Sequence, residues 1–183
     1  MADDPLFQIN LVTPERILLT GMASEVMVRT GEGDATFLAG HTPLVGSVKP
    51  GVVRVVRPEG EEVRVAVHGG FTQVEQNVPL PGDTEEGATS SRVTLLLGVA
   101  ELAEEIDVER ARVALDAAEA RVTELGGTGK TLAEGEEADP ELVEAEAAVL
   151  RAQVRLQTVD ATAAATAAWP PPSRGPLRPR RMA

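Results

Sequence analysis

Val53-Arg54-Val55, a break at Pro58 and Gly60, then Val63-Arg64-Val65-Ala66-Val67: this stretch places valine at every second position on either side of a turn. Successive side chains of an extended chain point to opposite faces, so a period of two buries one face of a strand. The same alternation runs through Phe7, Ile9 and Leu11 on one side and returns at Val26 and Val28. Glycine and proline punctuate these runs at Pro14, Gly21, Gly31, Gly33, Gly40, Pro43, Gly46, Pro50-Gly51 and Gly69-Gly70. Short β-rich runs with close turn signals predict an antiparallel sandwich or barrel over residues 1–99. Within it, Pro79–Arg92 is polar and turn-rich and reads as an exposed loop, and Val93–Val99 reads as one more buried strand.

Beyond residue 100 the period changes. Val108, Ala111, Leu115, Ala118, Val122 and Leu125 advance by threes and fours, and so do Leu142, Ala145, Val149, Ala152, Leu156 and Val159. Each set is a narrow seam on one helix face. The glycine-rich break Gly126–Ala138 lets the two helices fold back as an antiparallel hairpin over residues 100–168. Asp107 is placed to cap the first helix, and Asp139-Pro140 to start the second. Four of the twelve seam positions are alanine, which bury little area, so the hairpin is expected to be detachable. Residues 169–183, rich in proline and arginine, read as a disordered tail. The fold class is therefore α+β: strands first, a helical hairpin second.

Composition removes several function classes. The 183 residues include no cysteine, which excludes a disulfide scaffold, a thiolate nucleophile and Cys-ligated metal. Net charge is −12, with −10 in residues 100–168 and +4 in residues 169–183. An acidic body repels phosphate backbones, so nucleic acid is a poor partner. No apolar run reaches the roughly 18 residues that cross a bilayer. Asp3 and Asp4 stand where an export signal is basic, so the expectation is a soluble protein kept where it is made.

No motif reads as catalytic. Gly126-Gly-Thr-Gly-Lys130-Thr131 resembles a phosphate loop, but the position five residues before Gly129 is Glu124, and the preceding element is helical. An inter-helix link is the better reading. His41 and His68 lack partners at metal-ligand spacing and read as turn or surface histidines. Arg151 and Arg155 share a helix face with no acid three or four residues away. Two solvated arginines are one reading; an anion from outside the helix, phosphate or carboxylate, is the other.

The ordered strings Val12-Thr13-Pro14-Glu15-Arg16, Gly33-Asp34, Gly40-His41-Thr42-Pro43-Leu44, Val48-Lys49-Pro50-Gly51, Gly69-Gly70-Phe71 and Ile106-Asp107-Val108-Glu109-Arg110-Ala111 resemble the epsilon subunit of F-type ATP synthases across about residues 6–160. The resemblance implies a β-sandwich carrying a helical hairpin, in a non-catalytic rotor subunit of a proton-translocating synthase. It implies binding to the gamma subunit and the c-subunit ring. It also implies that the helices reach into the alpha/beta head and block ATP hydrolysis. The location implied is peripheral, on the cytoplasmic face of a bacterial plasma membrane. Within the loop Gly31–Leu44, Asp34, His41, Pro43 and Leu44 are the implied contacts to the stalk and ring; the plain reading of Asp34 is turn chemistry.

No cofactor is required, but the resemblance implies ATP as a regulatory ligand. Glu101, Ile106, Asp107, Arg110, Ala111, Arg151 and Arg155 match that set, while Ala117 stands where a further arginine occurs in such proteins. The plain structural reading is Asp107 as a helix cap and Asp107–Arg110 as a pair three residues apart. A rival function is a stand-alone, non-catalytic ATP-sensing module.

Overall fold

The computed structural model describes residues 5–79, 89–126 and 139–168. The strands are β1 (Phe7–Val12), β2 (Ile17–Ala23), β3 (Glu25–Thr30), β4 (Gly33–Leu38), β5 (Leu44–Val48), β6 (Gly51–Val56), β7 (Glu62–Val67), β8 (Gly70–Pro79), β9 (Thr89–Leu97) and β10 (Ala100–Leu102). Hydrogen bonding runs β10-β7-β6-β3-β5-β8-β9-β1-β2, with β4 also on β3. The step from β3 to β5 is a single residue pair, Thr30 with Val48, whereas every other step joins three or more. The path therefore folds there into two layers, β4-β3-β6-β7-β10 and β5-β8-β9-β1-β2.

The alternating residues of both layers meet in one core. Val26, Val28, Val53, Val55, Val65 and Val67 face Phe7, Ile9, Leu11, Val93 and Leu95, all fully or almost fully buried. This is a β-sandwich, as the period of two implies. Pairing is antiparallel except between β1 and β9, where the first strand enters between β2 and β9 and runs with the latter. Within the second layer β8 and β9 approach closely at Gly70, where a Cβ would lie 2.2 Å from the carbonyl oxygen of Leu96. Only glycine fits there.

Three boundaries differ from the sequence reading. The segment taken as the loop Pro79–Arg92 is strand at both ends, since β8 runs through Pro79 and β9 starts at Thr89. Those ends are tied down: the Gln8 side-chain amide donates to the Pro79 carbonyl at 2.8 Å, and the Ser90 hydroxyl donates to the Leu6 carbonyl at 2.9 Å. Polar residues there tie the strand ends together rather than forming a loop. Residues 80–88 lie outside the described residues. The strand expected over Val93–Val99 ends at Leu97, and the helical half does not begin at residue 100. Ala100–Leu102 pair with Val65–Val67 as β10, and a short 3-10 turn, Ala103–Glu105, follows.

Helix α1 spans Val108–Glu124 and α2 spans Pro140–Ala168. The Asp107 carboxylate accepts the Arg110 backbone N–H at 3.0 Å, and that of Asp139 accepts the Glu141 N–H at 2.9 Å. Both caps stand where the sequence puts them. Gly126, at φ +71°, ends α1 in the left-handed conformation. Every seam residue of α1 and α2 is buried or half-buried, and the two helices pack together. The residues of the Gly126–Ala138 link beyond Gly126, Lys130 included, and the 169–183 tail lie outside the described residues.

A second stripe on α2 escaped the seam pattern. Ala147, Arg151, Val154 and Thr158 also advance by fours and threes, and Val154 and Thr158 are buried. Helix α2 packs on β7, β6 and the Ala103–Glu105 turn. Ala66, which points away from the sandwich core, is fully buried beneath it. An arginine and a threonine in the stripe mask its apolar character.

Candidate functional site

The junction between sandwich and hairpin gathers the charged residues. Strand β10 puts Glu101 opposite Ala66 of β7, and its two carboxylate oxygens accept from Arg155 of α2, from Nε at 2.5 Å and from Nη2 at 3.2 Å. This fork-to-fork geometry fixes the register of α2 on the sheet. The anion that Arg155 requires comes from this chain's own sandwich. Arg151 finds a partner within its helix after all: its Nη2 reaches Glu144, seven residues back, at 2.6 Å. Spacing of three and four alone missed it, since an arginine long enough to span two turns can pair at seven.

A cavity of about 280 Å³ opens beside this pair, lined by Glu101, Glu105, Ile106, Asp107, Arg110, Ala111, Ala114 and Arg155. Six of the seven residues of the implied nucleotide set share it; Arg151 does not line it. Asp107 and Arg110 form no ion pair, because the Asp107 carboxylate is used on the backbone of residue 110. The Arg110 guanidinium has no carboxylate partner among the described residues. Glu105 is held by Arg16 at 2.5 Å, and that contact keeps its carboxyl below the usual carboxylate range. The lining thus offers one uncommitted cation, Arg110, and a second, Arg155, that an incoming anion would have to win from Glu101.

His68 is a correction to the sequence reading. It follows β7 directly, and both ring nitrogens are buried without a hydrogen-bond partner among the described residues. Burial first, and then Arg155, hold its imidazole below the ordinary histidine value. A histidine next to Gly69-Gly70 looks like turn chemistry in the sequence. Only the packing of α2 over this face seals its ring nitrogens; the residue as a whole is half-buried.

The four residues that the resemblance implies as stalk and ring contacts do not form one cluster. Asp34 is the second residue of β4 rather than part of the turn, and it pairs across the hairpin with Arg29 at 2.9 and 3.3 Å. That partner holds its carboxyl below the usual range. His41 sits in the turn after β4, its ring edge-on to Phe37 at 4.9 Å and its Nδ1–H donated to the Thr42 carbonyl at 2.9 Å. Gln76 clamps this turn by donating to the carbonyls of Gly40 and His41. Pro43 is exposed, whereas Leu44 turns inward against the core.

One residue further, Val45 faces out, 74% exposed. Phe71 (61% exposed) and Leu96 (50% exposed) are cross-strand partners on β8 and β9, and Val45 is diagonal to Phe71 on the same face. Three large apolar side chains side by side on an open sheet face are unlike scattered surface leucines; they form a candidate contact surface. The signal lay in the sequence as apolar residues out of phase with the buried alternation.

Comparison with known proteins agrees with this architecture. The family description "ATP synthase, Delta/Epsilon chain, beta-sandwich domain" matches residues 6–78, and "ATP synthase, Delta/Epsilon chain, long alpha-helix domain" matches residues 104–160. The ATP synthase epsilon chain of Thermobifida fusca is 47% identical over 113 residues, 61% of this chain and 73% of that one. The epsilon chain of Symbiobacterium thermophilum is 36% identical over 162 residues, 88% of this chain and 96% of that one. A chain in the cryo-EM structure of the Euglena gracilis mitochondrial ATP synthase, OSCP/F1/c-ring in rotational state 1, shares the fold at a TM-score of 0.54 and 22% identity, covering 87% of this chain and 81% of that one. A two-layer sandwich followed by two capped helices, matched in both halves by one family, makes this chain a member of the ATP synthase epsilon chain family.

Proposed function

We propose that the chain is a non-catalytic rotor subunit of a proton-translocating ATP synthase that ties the gamma subunit to the c-subunit ring. The observation that carries this reading is the contiguous open apolar face Val45–Phe71–Leu96 on the sandwich. Asp34 lies at the start of β4, and His41 and Pro43 lie in the connection from β4 to β5; in this reading that segment meets the ring. Asp34 arrives there already neutralised by Arg29, so its contact is a polar one rather than a free charge. No helix among the described residues is long and apolar enough to cross a membrane. That supports a peripheral position, proposed here as the cytoplasmic face of a bacterial plasma membrane. Titrating the full chain against purified gamma tests the reading: micromolar or tighter binding supports it, and no binding sinks it.

The helices are the regulatory part of the same reading. Released from β7, α1 and α2 extend toward the alpha/beta head and oppose ATP hydrolysis, with Arg151 and Arg155 meeting carboxylates there in place of Glu144 and Glu101. The test is a truncation. It belongs after Glu105 rather than after Val99, because β10 completes the sheet edge. Faster ATP hydrolysis by the reconstituted enzyme is the expected outcome; an unchanged rate removes the inhibitory role.

A regulatory ATP site is supported by the shared cavity. Arg110 is its available cation, and Arg155 would leave Glu101 for a phosphate. Three carboxylates in the lining against two arginines weaken the attraction for a polyanion in the docked arrangement. Calorimetric titration with ATP is expected to give weak binding that Arg110→Ala and Arg155→Ala together abolish. Binding that survives the double change excludes this site, and with it the stand-alone sensor reading built on it.

A further inference from the structure

Alternation along β7 puts His68 on the face of Arg64 and Ala66, opposite Val65 and Val67. Helix α2 covers that face. The ring nitrogens are sealed and make no hydrogen bond, although an imidazole carries one donor and one acceptor when neutral and two donors when protonated. A proton arriving there would meet cations. Arg155 and Arg151 of α2 both act on the ring, and the one nearby carboxylate, Glu101 of β10, has both oxygens taken by Arg155. Of the other acids on the surrounding elements, Glu62 is paired with Arg54 and Arg64, Glu105 with Arg16, Glu141 with Arg121 and Glu144 with Arg151, while Glu104, Glu146 and Asp160 stand exposed to solvent.

We propose that His68 is a proton-operated latch: neutral, it lets α2 seat on the sandwich; protonated, it expels α2, so the hairpin is released as the pH falls. The inference rests on the reading that the hairpin can leave the sandwich, and adds what triggers it.

The direction follows from linkage. Burial, reinforced by Arg155 and Arg151 and only opposed by Glu101, holds the docked imidazole below the ordinary value of 6.5. Once α2 departs, the ring regains water and titrates near about 6.5. A base that binds its proton less well when docked favours docking fully above about pH 6.5. Docking then weakens as the pH falls, by up to about tenfold per pH unit, until the docked-state value is passed.

The absence of cysteine makes the test direct. Thr158 is fully buried on the sheet side of α2, so Thr158→Cys in the full chain supplies a lone thiol that reacts only when the helix lifts. Its rate of reaction with dithiodipyridine is followed from about pH 8 to about pH 5 and normalised to a small free thiol at each pH. The normalised rate is expected to rise toward tenfold per unit below about pH 6.5, and to stay flat in His68→Asn and His68→Ala. A flat profile with His68 intact, or an equal rise in both variants, overturns the latch. Arg155→Glu separates the two levels of the argument. If it exposes the thiol at every pH while the His68 chain stays flat, only the latch fails. If even Arg155→Glu leaves the thiol protected, the releasable hairpin fails with it.

Discussion

Asp107 shows how much one carboxylate can settle. It ends the run from β10, caps the backbone of α1 at Arg110, and lines the cavity beside Glu101. Its side chain is therefore committed to the helix, and Asp107→Ala is expected to cost about 1 kcal/mol of stability, with Asp107→Asn nearly neutral. Chemical denaturation of the full chain measures both; equal losses would mean the charge, not the cap, matters. The cap was legible from sequence because a capping aspartate reads locally, one turn from its amide. The partner of Arg155 and the covering of the His68 ring were not, because both depend on how α2 lies, and the partner of Arg151 stands seven residues back, outside the three-and-four spacing. Glu101 is 54 residues from Arg155, and spacing along one helix does not place it. Leu44 illustrates the same limit at its smallest: a shift of one residue in a strand reverses in and out, and the exposed neighbour is Val45.

Among the elements, α2 carries two jobs. Its seam face packs on α1 through small residues such as Ala145 and Ala152, and its other face packs on β7 through Val154 and Thr158. The alanine seam is readable as period; the second stripe is not, because an arginine and a threonine interrupt it. Val154→Asp places a charge on the sheet-facing stripe without touching the sandwich core. It is expected to detach α2 while leaving the sandwich folded, splitting one unfolding transition into two. Calorimetry on the full chain reads this, and a single transition at a lower temperature would show instead that the hairpin and sandwich fold as one unit. The exposed sheet strands β5, β8 and β9 behave differently. Their buried residues follow the period of two, and their outward residues carry Val45, Phe71 and Leu96, a departure that the pattern records but does not interpret.

For the whole molecule, the sandwich and hairpin were both written plainly in periodicity, two in the first half and alternating threes and fours in the second. How they join was not. The joining elements are short: a three-residue strand, a 3-10 turn and one bidentate ion pair between Glu101 and Arg155. These are too brief to carry a period, yet they join the helices to the sandwich. A sheet with one exposed apolar face and a helical arm held by one bidentate ion pair and a narrow buried stripe is the arrangement on which the proposed coupling and regulatory roles rest. The most direct measurement is the affinity of the full chain for purified gamma, compared with that of Phe71→Asp. A charge at the centre of the Val45–Phe71–Leu96 face should weaken binding by at least about tenfold, roughly 1.4 kcal/mol, while the sandwich stays folded. Equal affinity of the two proteins for gamma, or no affinity in either, would contradict the account.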